Sequence, residues 1–105
     1  MPNLLDLPDG LPQEQELFEP LVSTKNILIE RIVSSGHATP AGEWYDQERD
    51  EWVLLVQGEA TLSYDDGRTF DLRPGDYAFI PAHRKHRVDR TSAPCVWLAI
   101  HANLT

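Results

Sequence analysis

The fold is decided by two stretches, EWVLLVQG at residues 51–58 and GDYAFIPAHRKH at residues 75–86, which 16 residues separate. The first is apolar at nearly every position after Glu51, which predicts a strand covered on both faces by a second sheet or by a partner subunit. In the second, a turn around Gly75 precedes a short strand, and a loop that begins at Pro81 leads to His86. Both stretches therefore indicate strands joined by tight turns.

Other segments of the chain carry the same β signals. Asp65-Asp66-Gly67 is typical of a tight hairpin turn. Further strands are expected at residues 27–33, 44–45, 60–64, 68–72 and 96–102. Short strands at close spacing, with no long helical pattern, predict an all-β sandwich or barrel over about residues 26–102.

The N-terminal residues have a different composition. Residues 1–25 contain Pro2, Pro8, Pro12 and Pro20 among leucines and acidic residues, and proline interrupts helices. At most one helical turn is expected, over residues 13–18. We interpret residues 1–25 as an extended arm and residues 26–105 as the folded domain.

The two stretches resemble the paired motifs of the cupin family. In the first motif six residues separate Glu51 from Gly58, and in the second five residues separate Gly75 from Pro81, with His86 five positions further on. The resemblance implies a small antiparallel jelly-roll barrel, or double-stranded β-helix, with its site inside the mouth. It also implies that Glu51 and His86 face each other there and ligate a divalent ion.

The chain departs from the family where metal-binding cupins carry a His-x-His pair ahead of the glutamate. Depending on the register, the two slots hold Trp44 and Asp46, or Tyr45 and Gln47. Asp46 is a competent oxygen ligand and Gln47 a weak one, and with Glu51 and His86 either could hold Zn, Mn, Fe or Ni. Alternatively, Glu51 and His86 form only a hydrogen-bonded pair in an empty cavity.

Three functions are consistent with this site. The first is a metal-dependent enzyme acting on a small polar metabolite, with Tyr45 or His37 as acid or base. The second is a non-catalytic module that binds a small molecule. The third, by analogy with metal-free sugar epimerases of the family, uses a His and Tyr pair. His101 alternates with Trp97 and Ala99, and the sequence leaves open which face of the last strand lines the cavity.

Composition limits the partners. Nine Lys and Arg against 17 Asp and Glu give a formal net charge of −8, which disfavours nucleic acid and acidic membrane surfaces. Cys95 is the single cysteine, so an internal disulfide is excluded. The N-terminus lacks a secretory pattern, and a cytoplasmic location is expected. A homodimer is expected because residues 51–56 are apolar on both faces.

Overall fold

The computed structural model describes residues 1–11 and 15–105, and these form eight antiparallel strands and no helix. The strands are β1 (Leu17–Ser23), β2 (Leu28–Ser34), β3 (Asp50–Gln57), β4 (Ala60–Tyr64), β5 (Thr69–Leu72), β6 (Tyr77–Ile80), β7 (His86–Thr91) and β8 (Cys95–Ala102). In the described part of the chain, no helix has the length and apolar character needed to cross a membrane. The all-β prediction is confirmed.

The strands build two sheets that face each other. One has five strands in the order β1-β2-β8-β3-β6, and the other has three in the order β5-β4-β7. The chain crosses from one sheet to the other between β3 and β4, β5 and β6, β6 and β7, and β7 and β8, which gives the antiparallel jelly roll that the two motifs imply. The interior lies between the sheets. Every second residue of each strand points inward and packs against the opposite sheet.

The core follows from this alternation. On β3, Val53 and Leu55 point inward together with Glu51, while Trp52 and Leu54 lie on the outer face and are only partly buried. The buried apolar cluster consists of Val53, Leu55, Ala60, Leu62, Leu72, Ile80, Cys95, Trp97 and Ala99. Burial of each large side chain stabilises the fold by about 1.5–3 kcal/mol relative to its exposure.

The hairpin predicted at Asp65-Asp66-Gly67 is present between β4 and β5. Gly67 has a positive φ of 92°, which glycine adopts at little cost, and the Tyr64 N–H donates to the Arg68 carbonyl at 2.9 Å. The short strand expected at residues 44–45 is reduced to one isolated bridge between Tyr45 and His86. That bridge fixes the segment across the mouth of the barrel.

Strand β1 lies within the segment that the sequence analysis assigned to an extended arm. Leu17–Ser23 pairs with β2 at the edge of the five-stranded sheet, and the register shifts between Pro20 and Val22. Proline is tolerated on an edge strand or at a bulge because no ladder hydrogen bond is lost there. Of the helical turn expected over residues 13–18, residues 13 and 14 lie outside the described residues, and Leu17 and Phe18 belong to β1.

The first residues of the chain run along β2. The Arg31 guanidinium donates to the Glu19 carboxylate at 2.7 Å and to the carbonyl oxygens of Leu4 and Asp6 at 3.1 and 2.8 Å. Arg31 is buried. One buried cation therefore fastens both β1 and the N-terminal segment to the sheet.

Candidate functional site

A cavity of about 60 Å³ lies between the two sheets at the end of the barrel where β3 begins and β8 ends. This is room for a few water molecules or for the head of a small ligand. Its floor is apolar and includes Val53, Leu62 and Trp97. Its polar lining residues are Glu16, Glu30, Tyr45, Gln47, Glu51, His86 and His101.

Strand register brings the polar residues together. Glu51 on β3 lies opposite His101 on β8, and both are buried. On the other sheet, His86 begins β7, and its backbone pairs with Tyr45 through hydrogen bonds of 2.7 and 3.1 Å. Gln47 follows two residues after Tyr45, so both side chains reach the same cavity.

Glu51 and His86 face each other at the centre of the site. The Glu51 Oε1 and His86 Nε2 atoms are 3.5 Å apart, beyond the usual length of a hydrogen bond. His86 Nδ1 lies 2.8 Å from the Arg84 carbonyl, which can only accept, so Nδ1 carries a proton. In a neutral His86 the Nε2 atom is then an acceptor facing a carboxylate. A proton, a cation or a hydrogen-bond donor of a ligand, placed between His86 Nε2 and Glu51 Oε1, would satisfy both acceptor atoms.

His101 is held by two carboxylates. Its Nε2 atom lies 2.9 Å from Glu30 Oε1 and 3.7 Å from Glu51 Oε2. The hydrogen bond that His101 donates to Glu30, helped by the negative charge of Glu51, raises the pKa of His101, although burial and Arg49 oppose this. His101 thus lies between Glu30 and Glu51 and joins the two carboxylates into one network.

Tyr45 and Gln47 complete the lining. The Tyr45 ring stacks on His86 with centroids 5.5 Å apart, and burial, with a smaller contribution from nearby glutamates, raises the pKa of its hydroxyl. Tyr45 therefore keeps its proton at neutral pH. Gln47 Oε1 is buried and has no hydrogen-bond partner within the described part of the chain. A buried acceptor without a partner costs about 1–3 kcal/mol, and such groups mark binding sites.

Two residues that the sequence analysis proposed for the site lie outside the cavity lining. Asp46 is exposed, and its carboxylate lies 2.9 Å from the His83 ring, because alternation turns it away from the face of Tyr45 and Gln47. His37 Nδ1 accepts the Ser35 N–H at 2.9 Å at the end of β2. The structure thus places Gln47, rather than Asp46, toward the cavity, and it does not place His37 there.

Glu16, Glu30 and His101 line the cavity but were not predicted as site residues. Glu30 lies among the β-branched residues of β2, where a charged residue is unusual. This is the feature of the sequence that could have indicated its role in the site. Its partner His101 lies 71 positions away, and only the β2–β8 register joins them. Glu16, whose Oε2 accepts from the Ser34 hydroxyl at 2.6 Å, precedes a strand that the sequence did not predict.

Few side chains in the cavity are able to ligate a divalent ion. Glu51 and His86 are strong donors, Gln47 Oε1 is a weak one, and Tyr45 fills the other slot of the missing His-x-His pair. Among residues 1–11 and 15–105, no group of three or more His, Cys, Asp or Glu is arranged to hold an ion. An ion in this cavity would have Glu51, His86 and Gln47 as its donors, a weaker set than the three strong ligands typical of catalytic zinc.

Two facing antiparallel sheets with a polar cavity at one open end define a jelly-roll barrel. The family model described as "Cupin domain" matches residues 32–101, and the chain belongs to this family. Comparison with curated protein sequences finds no match.

Solved structures agree with this family. The chain is 42% identical to a putative mannose-6-phosphate isomerase from Ralstonia eutropha JMP134, covering 98% of this chain and 97% of that one with a TM-score of 0.90. A cupin superfamily protein from Desulfitobacterium hafniense DCB-2 is 23% identical over 98% and 94% of the chains, with a TM-score of 0.77. The DMSP lyase DddQ from Ruegeria pomeroyi DSS-3 is 16% identical over 87% of this chain and 48% of that chain, with a TM-score of 0.74. The last two likenesses show the fold alone.

Proposed function

We propose that the protein is a small cupin enzyme that binds a hydroxyl-bearing metabolite in the cavity, with a divalent ion as cofactor. The observation that carries this is the set of buried acceptors that line the cavity, namely His86 Nε2, Glu51 Oε1 and Gln47 Oε1. Acceptors without donors suit a cation or the hydroxyl groups of a ligand. A bound ion would polarise an oxygen of the metabolite.

Neighbouring residues supply the acid–base groups of this proposal. Tyr45 keeps its proton at neutral pH and stacks on His86, so it is placed to donate a proton to a ligand oxygen. Glu51 is the carboxylate that lies between the two imidazoles, 3.5 Å from His86 Nε2 and 3.7 Å from His101 Nε2, and it is the candidate base. The 42% identical protein is described as a putative sugar-phosphate isomerase, a reaction that moves a proton between adjacent carbons, and this supports proton-transfer chemistry here.

The second candidate is a binding module without catalysis. It is favoured by the limited donor set, since the described residues offer no group of three strong metal ligands. In that case His86, Glu51 and Gln47 accept hydrogen bonds from the ligand alone. Both candidates concern a small molecule in the cytoplasm. The excess of acidic residues and the free thiol of Cys95 are consistent with this.

Metal content separates the two candidates. Purified protein is loaded with Zn, Mn, Fe or Ni, dialysed and subjected to element analysis. We expect close to one ion per chain for one of these metals, and loss of it in Glu51→Gln and in His86→Ala. Asp46→Asn is the matched control, because its carboxylate is exposed and paired with His83, and it should retain the ion. An unmodified protein that retains none of the four metals contradicts the metal-dependent candidate.

A gain-of-binding variant sharpens this test. Gln47→His replaces the weak ligand with an imidazole in one slot of the missing His-x-His pair. If the cavity is a degenerate metal site, this variant should hold the ion more tightly than the natural chain, by roughly tenfold or more. Unchanged or weaker retention would show that Gln47 does not face the ion.

We also propose that two copies of the chain pair through the outer face of the five-stranded sheet. Register places Val22, Ile29, Ile100, Trp52 and Phe79 in one apolar row across all five strands. Val22 and Phe79 are exposed. A continuous apolar face of this kind is typical of an interface, and a twofold axis lets the same face serve both copies.

Light scattering at micromolar concentration tests the dimer. We expect twice the 11.9 kDa of one chain, and a monomer for Trp52→Glu. Phe70→Glu is the control, because Phe70 is an exposed aromatic residue on the other sheet. A natural chain that scatters as a single copy contradicts the pairing.

A further inference from the structure

The polar cavity is continuous with a second, more open depression. A groove of about 640 Å³ lies at the mouth of the barrel, and Glu30, Gln47 and His101 line both the groove and the cavity. We call it the mouth groove. Its remaining lining residues are Thr24, Lys25, Leu28, Glu48 and Arg49. A ligand that reaches Gln47 from solvent can therefore extend into the mouth groove.

The two compartments differ in charge. The cavity lining contains three carboxylates, Glu16, Glu30 and Glu51, and the described residues contribute no Lys or Arg to it. An anionic group inside the cavity would lie close to these carboxylates and be repelled. The mouth groove adds two cations, Lys25 and Arg49, against one further carboxylate, Glu48. On a chain of net charge −8, two cations that line one groove beside the cavity are unusual.

Neither cation has an ion-pair partner among the residues that the structure describes. Lys25 is exposed in the turn between β1 and β2, and Arg49 directly precedes β3. Within residues 1–11 and 15–105, neither side chain forms an ion pair with a carboxylate. By contrast, the buried Arg31 is fully engaged by Glu19 and by two backbone carbonyls. Lys25 and Arg49 are thus available to bind a ligand.

From this arrangement we infer that the mouth groove binds the anionic end, a phosphate or a carboxylate, of a ligand whose hydroxyl-bearing end occupies the cavity. The inference rests on the proposed function, because it assigns the second half of the same ligand. The hydroxyl groups donate to Gln47 and Glu51 in the cavity, and the anion accepts from Lys25 and Arg49 outside it. The ligand class is therefore a phosphorylated sugar or a sugar acid with its charge directed toward solvent.

Calorimetric titration with matched sugars tests the groove. D-mannose, D-mannose 6-phosphate and D-mannuronate are titrated at low ionic strength into the full chain and into Lys25→Gln and Arg49→Gln. We expect each substitution to weaken binding of the anionic sugars about tenfold and to leave D-mannose unchanged. Arg73→Gln is the control, because it removes one charge outside the cavity and the groove. The tighter of the two anionic sugars identifies phosphate or carboxylate.

The outcomes separate the groove from the cavity. Equal affinity for D-mannose and both anionic sugars, unchanged by Lys25→Gln and Arg49→Gln, would overturn the inference while leaving the cavity proposal intact. If none of the sugars binds, the cavity proposal fails, and inorganic phosphate is then titrated alone. Phosphate binding that is lost in the Lys25→Gln, Arg49→Gln double variant supports the groove, and no phosphate binding overturns it.

Discussion

The two ends of the barrel have opposite chemistry along the same strands. On β3 the inward residues change from Glu51 through Val53 to Leu55, and on β8 they change from His101 through Ala99 and Trp97 to Cys95. The mouth end is buried but polar, and one acceptor there has no partner in the described part of the chain. The closed end is apolar, and Leu55 and Cys95 are completely inaccessible.

This difference indicates how the chain divides stability from function. The closed end supplies dispersion and hydrophobic burial, which have no directional requirement. The mouth end holds buried carboxylates, imidazoles and an amide that stabilise the fold less than apolar residues of the same shape would. Substitutions at the two ends should therefore have opposite signatures, and the predictions below compare them.

The largest expected effect is at the closed end, at Gly58. This residue has a φ of +89°, and a Cβ atom there would lie 2.4 Å from Ser92 Oγ and 2.5 Å from the Pro94 carbonyl oxygen. The Pro94 carbonyl belongs to the backbone and cannot rotate away as a side chain does. The steric overlap of the new Cβ therefore adds to the strain of the positive φ. We expect Gly58→Ala to lower the free energy of unfolding by about 3 kcal/mol or more. Urea denaturation followed by tryptophan fluorescence measures this.

Gly67→Ala is the matched control. Gly67 has a similar φ of +92°, but nothing lies within 4 Å of the position that a Cβ would occupy. Gly67→Ala should therefore lower the free energy of unfolding only by the cost of a positive φ at alanine, about 1 kcal/mol. Equal losses in the two variants would show that Gly58 is not tightly packed, and the contrast between the ends would lose its main support.

The second prediction concerns the mouth, where Gln47→Leu should stabilise the protein and impair binding. It removes a buried acceptor that has no partner in the described chain and substitutes an apolar side chain of similar size. We expect the free energy of unfolding to rise by about 1 kcal/mol, with loss of ligand or metal affinity. Thermal denaturation measures the change in stability, and titration of the same sample with the ligand or metal measures the loss of affinity. A destabilised variant would mean that the amide makes favourable interactions in the free protein.

The ends also differ in how well the sequence predicted them. Local signals sufficed for the hairpin at Gly67 and for the strand at residues 51–56, because turn chemistry and strand alternation act within a few residues. Glu51 and His86 were placed together by their motif spacing. The His101–Glu30 pair depends on the register between β2 and β8, and that register is fixed by contacts distant in sequence. Local patterns carry no direct signal of such pairing.

The third prediction uses the charge of His101. Its pKa is raised above 6.5 chiefly by the hydrogen bond to Glu30, with Glu51 adding and Arg49 opposing. A raised folded pKa means that the stabilisation is complete below the unfolded value and is lost as pH rises through the folded value. The stability difference between the natural chain and His101→Gln should therefore shrink from pH 6 to pH 9, by about 1 kcal/mol.

Nuclear magnetic resonance of the imidazoles provides the control for this prediction. Glu30→Gln removes the main cause of the shift and should lower the titration midpoint of His101. The imidazole resonances of His83, which is exposed and contacts Asp46 instead, should be the same in this variant as in the natural chain. A stability difference that is constant with pH, or that grows as pH rises, would contradict the charged His101–Glu30 pair.

The smallest expected effect is at Cys95, the residue at the closed end of β8. Burial raises the pKa of its thiol to about 12, and its side chain is inaccessible, so very little thiolate exists at pH 8 and none of it is exposed. We expect no measurable alkylation of the native protein by iodoacetamide, and rapid alkylation in guanidinium chloride, as followed by mass spectrometry. Gly58→Ala lies next to Cys95 and should make the thiol react measurably, whereas Gln47→Leu at the other end should not. Equal reactivity in both variants would mean that the two ends open together, and that the closed end has no separate stability of its own.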